Sequence, residues 1–134
     1  MWAMPGFLFG VTAVAGLLQP KSRELIVWGI AGAIWGAASG RFARGMPFQH
    51  GFLLGFLGGM SACIVESIGF GPYLANNPAI RDAYGSLGQQ FQLAPSLLRL
   101  APVMSGLFLS GVYGCVVGGI ALLAARIWWG QRAA

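Results

Sequence analysis

Glu66 is the one carboxylate that falls inside a long apolar stretch, Phe48 to Phe70. A charge in lipid is costly, so an intramembrane acid points to a proton carrier, an ion ligand or a contact between subunits. At about 100° per residue it lies within roughly 60° of Gly51, Gly55, Gly59 and Ala62, on the packing face of a helix. Its depth pulls the other way. At about 1.5 Å per residue Glu66 sits roughly 6 Å from the helix end, within reach of headgroups or of an arginine from a connection. The first expectation is a structural carboxylate, with ion or proton handling and a subunit contact as alternatives.

His50 lies at the other end of the same helix, about 24 Å away along the axis. It falls on nearly the opposite face, with Leu53, Leu54, Leu57, Ile64 and Ile68, so the two residues cannot act together. A lone imidazole there reads as polar punctuation at an interface. Its sharper reading is an axial ligand to a haem or chlorophyll-type pigment. No other cofactor and no metal is expected, because Cys63 and Cys115 lie apart in apolar stretches and read as packing residues. Tyr113 shares a helix face with Gly106, Ser110 and Gly114, and its hydroxyl needs a partner across a helix contact. Trp28 and Trp35, seven apart on one face, read as packing. The sequence displays no Ser-His-acid set, paired carboxylates, phosphate loop or metal-spaced cluster. No catalytic role is expected.

The elements that carry these residues are apolar helices. Of 134 residues, 57% are hydrophobic and 8% charged, about a third of the charged share of a soluble domain. A soluble fold of this size could not cover its surface with so few polar groups. The net charge of +5 comes from Lys21, Arg23, Arg41, Arg44, Arg81, Arg99, Arg126 and Arg132, set against three acidic residues. These cations punctuate the apolar segments, where they meet headgroups, and form no basic patch for nucleic acid. No basic region precedes Phe7 to Leu18, so a cleaved signal peptide is not expected. Seven arginines against one lysine, with abundant Gly and Ala, fit a bacterial protein of the inner membrane.

Charge-free intervals predict four spans, about 3–19, 25–40, 48–70 and 102–129, in a single transmembrane domain. A crossing takes about 20 residues, so the first two are short and the last two long. Pro20 to Glu24 reads as a tight polar turn. Between spans three and four, Asn77 and Pro78 read as an N-cap and the first helical residue. Ile80, Tyr84, Leu87 and Phe91 then line one side of an interfacial amphipathic helix over about 78–91. Basic residues tie between the two sides, with a lean towards cytoplasmic termini because the amide-rich connection looks translocated.

Twenty-two glycines carry the packing signal. Gly32, Gly36 and Gly40 recur in the second segment, Gly51, Gly55 and Gly59 in the third, and Gly106, Ser110, Gly114 and Gly118 in the fourth. Small residues four apart let backbones approach, which in lipid drives association through van der Waals contact. The expected architecture is an all-α membrane bundle of four helices. The expected function is a non-catalytic accessory or assembly subunit, binding other membrane subunits through glycine faces. A small transporter or channel, homo-oligomeric and using Glu66, is the alternative; only Ser110 and Tyr113 mark a polar path through the middle. A pigment- or haem-contacting subunit through His50 is the third.

Overall fold

The computed structural model describes residues 4–17, 21–43 and 45–130, leaving aside the side chains of Met4, Lys21 and Ser22. Among the described residues the secondary structure is entirely helical: α1 (Met4–Val14), α2 (Lys21–Phe42), α3 (Pro47–Ile68), α4 (Phe70–Asn76), α5 (Pro78–Phe91), α6 (Pro95–Leu98) and α7 (Ala101–Gly130). Three helices, α2, α3 and α7, are long and apolar enough to cross a membrane.

Two expectations about the segments change. The second segment is not short: Lys21 to Glu24 are helical, so α2 has 22 residues and the polar turn is its first turn. The physical reason is that Glu24 stands where a helix N-terminus favours negative charge. The first segment ends early. Helix α1 has 11 residues, about 16 Å of rise, and residues 3, 18 and 19 of the expected span lie outside the described residues. Gly16, at φ +70, closes it in the left-handed conformation that terminates helices. The long connection carries three helices, of which α5 spans 78–91 as expected.

Contacts between small residues fix the packing. Helices α3 and α7 run antiparallel: a Cβ on Gly51 would meet Val117, Gly118 and Ala121, one on Gly55 would meet Gly114, and one on Gly59 would meet Ser110. Helix α2 runs parallel to α7, with Gly32 against Tyr113, Gly36 against Val117 and Ile120, and Gly40 against Ala121 and Ala124. Helix α1 runs parallel to the second half of α3, with Gly6 on Gly58 and Gly10 on Ala62 and Val65. The outer faces are apolar and exposed, including Ile30, Ile34, Leu53, Leu57, Phe108 and Val116.

Helices α4 and α5 close one end of this bundle. Ala13, Phe70 and Tyr73 are buried together there, with Ile80, Tyr84 and Leu98 packed against them. Asn77 does not cap α5 through its side chain. Its amide instead donates to the carbonyls of Ala13 (3.0 Å) and Tyr73 (2.7 Å), and Asn76 donates to Val14 (2.9 Å). Both satisfy carbonyls at helix ends. At the opposite end Arg41 lies over the ring of Trp128 at 4.8 Å, and Trp129 Nε1 donates to the Gly40 carbonyl. Amphipathic rings and a cation at a helix end form the belt expected at a membrane interface.

Candidate functional site

Between the helices lies a mostly apolar cleft with a few polar groups, about 330 Å³, on the side of the bundle closed by α4 and α5. Its back wall is α3, through Gly59, Ala62, Cys63 and Glu66. Glu24, Leu25 and Trp28 of α2 form one side, and Pro102, Ser105, Leu109, Ser110 and Tyr113 of α7 the other. Tyr73, Ile80 and Tyr84 supply the floor. The cleft exists because α2 and α7 touch only from Gly32 and Tyr113 onward. Nearer the closed end they part, and the last links are the Tyr113 hydroxyl donating to the Trp28 carbonyl at 2.8 Å and the edge contact of their rings at 5.1 Å.

Two carboxylates therefore share a space that sequence spacing gave no reason to connect. Glu66 comes from the last turn of α3 and Glu24 from the first turn of α2, helices that meet at the closed end. Two of the lining residues are buried, with hydroxyl oxygens that touch the open space of the cleft. Ser110 is 2% exposed and Tyr73 6% exposed, and neither side chain hydrogen-bonds to any described residue. Burial is the main force raising the Tyr73 phenol above its ordinary pKa, with the negative fields of Glu66 and Glu24 adding to it. Tyr84 is raised for the same reasons, burial first and Glu66 next, and Ser105 beside it works the other way. The field of Glu66 reaches both phenols, and that of Glu24 reaches Tyr73.

The residues singled out in the sequence fall in separate places. Glu66 lines the cleft. Gly59 and Ser110 pack on each other at its inner limit. Gly32 faces the Tyr113 ring beside it, and Gly36, Gly40, Gly51, Gly55, Gly114 and Gly118 lie in the helix contacts beyond. Gly106 abuts Cys63 on the α3–α7 seam. Trp28 and Trp35 join Phe9 in an aromatic cluster, with ring centroids 4.7–6.5 Å apart. His50 is exposed in the first turn of α3 at the opposite end, its Nδ1–H donating to the Met46 carbonyl at 2.9 Å. The cleft and His50 have no residue in common.

Sequence reasoning missed Glu24, Tyr73, Tyr84 and Ser105. Glu24 stood in a segment read as a turn, and the tyrosines in a connection read as surface. The available signal was that the first turn of an antiparallel neighbour must lie level with Glu66.

What the fold and cleft define is a helical protein with three apolar helices of membrane-crossing length and a two-carboxylate, tyrosine-lined cleft between them. No protein-family model matches the chain, and neither a curated protein nor a solved structure matches it.

Proposed function

We propose that this chain is a small, non-catalytic membrane carrier, moving a proton or a small cationic solute through the cleft between α2, α3 and α7. In this reading α2, α3 and α7 cross the bilayer. Helix α1 is a short fourth membrane segment reaching about halfway, and α5 lies along the interface. Glu66 and Glu24 supply the charge that attracts the solute; Tyr73 and Ser110 offer hydroxyls along its path. The observation that carries the reading is the convergence of two carboxylates and the hydroxyls of Tyr73 and Ser110 on one cleft. Such pockets, mostly apolar with a few convergent polar groups, are where small ligands bind, and acids at membrane depth mark ion and proton routes. The arginine-rich, glycine-rich composition supports a bacterial inner membrane as its setting. The test is flux in proteoliposomes carrying the purified chain, followed with an interior pH dye under an imposed potassium gradient and, for a cationic solute, with radiolabelled benzyltrimethylammonium. Flux that drops at least about tenfold on Glu66→Gln supports the carrier; flux no faster than from empty liposomes overturns it.

A second reading is an accessory subunit of a larger membrane complex. Most of the glycine stripes are used up between helices of the chain itself, but Gly111 and Gly119 of α7 meet nothing within 4 Å, and Cys115 between them is exposed. That leaves α7 a second small-residue face for a partner helix. Purification in mild detergent decides it: a chain recovered alone or only as a homo-oligomer removes this reading.

A further inference from the structure

We infer that the cleft is a binding site for a lipophilic monocation, an amine or quaternary ammonium on an apolar body, that enters sideways from the bilayer. The inference rests on the proposed use of the cleft as a solute site and names the solute's class. The entrance is given by the helices. Leu25 of α2 and Leu109 of α7 line the cleft yet are 67% and 62% exposed, so they stand at its edges on the outer surface. Both lie between the closed end and the Trp28–Tyr113 link, on the apolar flank of helices long enough to cross a membrane. A solute reaching that opening comes from among lipid chains, and must itself be apolar enough to dwell there.

The interior selects for positive charge. Glu24 and Glu66 are its charged groups among the described residues, and no described basic side chain lines it. Trp28, Tyr73, Tyr84 and Tyr113 add aromatic rings. Ring faces attract cations, and most strongly where water is excluded. Carboxylates and rings together suit a soft, weakly hydrated cation; a small metal ion would need a shell of oxygen ligands instead. The hydroxyls of Ser110 and Tyr73, on residues otherwise buried, face the cleft and can accept from or donate to a polar substituent deep in the site. The space of about 330 Å³ takes a single ring with a branched ammonium, at the small end of ligand pockets.

The probe is benzyltrimethylammonium, titrated calorimetrically into the full chain in non-ionic detergent. Its neutral shape-mate, neopentylbenzene, is the competitor. Saturable one-to-one binding is expected, undisturbed by the neutral compound. Glu66→Gln and Glu24→Gln should each weaken it roughly tenfold or more, because a charge pair in a partly dry site is lost. Ser105→Phe, at an exposed position of the cleft wall, should block it by bulk alone with both carboxylates intact. Circular dichroism of each variant keeps misfolding apart from lost binding. No saturable heat with the wild-type chain, or full displacement by neopentylbenzene, overturns the inference. Proton flux without cation binding overturns it while leaving the carrier standing. Cation binding without flux upholds it and removes the carrier.

Discussion

Asn77 precedes Pro78, a pair that reads as a helix start, yet its amide reaches back to the carbonyls of Ala13 and Tyr73. The start of α5 was visible from Pro78, since proline fits the first helical position. The target of the Asn77 side chain was not, because the partner carbonyl lies 64 residues away in sequence. Asn77→Ala removes the side-chain donor of the Tyr73 carbonyl and one of the two donors to the Ala13 carbonyl, which keeps the Gly16 N–H; the loss should cost about 1–3 kcal/mol, read as a lower midpoint of denaturant unfolding in detergent. The phenol of Tyr73 gives a second test, this time through pH. Its folded pKa lies above the ordinary 10.0, because burial and two nearby glutamates oppose the phenolate. A raised acid stabilises the fold fully below the unfolded pKa, and that contribution is lost as pH rises beyond it. Melting temperature should therefore fall from about pH 10 upward. Tyr73→Phe should flatten that alkaline fall, and an equal slope in wild type and variant would show that the phenol stays wet.

The glycine stripes were readable because a spacing of four always collects residues on one helix face. Which stripe meets which was hidden, since stripes of similar small residues are chemically interchangeable until a fold pairs them. The structure pairs α3 with α7 antiparallel and α2 with α7 parallel, so α7 spends two adjoining faces and α3 sits between α1 and α7. Position then decides the effect of adding a side chain. At Gly55 a Cβ would come within 2.9 Å of the Gly114 Cα, backbone that moves only with its helix. Gly55→Leu should cost about 1–3 kcal/mol or more through overpacking. At Gly111 a Cβ meets nothing, so Gly111→Ala should be neutral or gain up to about 1 kcal/mol of helix propensity. Detergent melting curves of the two variants should diverge. Similar losses at both positions would mean that the Gly111 face is covered in the purified protein.

Across the whole molecule, the spacing of charges located the two longest apolar helices, α3 and α7, but gave the first two segments other bounds than α1 and α2 have. Lys21, Arg23 and Glu24 precede the apolar run yet belong to its helix as the first turn of α2, because hydrogen bonding along α2 does not depend on side-chain polarity. Helix α1 shows the converse: an apolar run extending to Leu18 yields a helix of 11 residues, ended at Gly16 where Asn76 packs. With α1 reaching only about as far as Gly58 on α3, three helices long enough for a full crossing remain, and in the proposed reading they dictate sidedness. Gly45, in the α2–α3 connection, and Ser86, on α5, must lie on opposite sides of the membrane. Both are exposed, and Gly45 has open space around it. In a background lacking Cys63 and Cys115, Gly45→Cys and Ser86→Cys should react with a membrane-impermeant maleimide from opposite faces of sealed vesicles. Labelling of both from one face would mean that α3 does not cross. The cleft would then open to water along its length, and neither lateral entry nor carriage across the bilayer would survive.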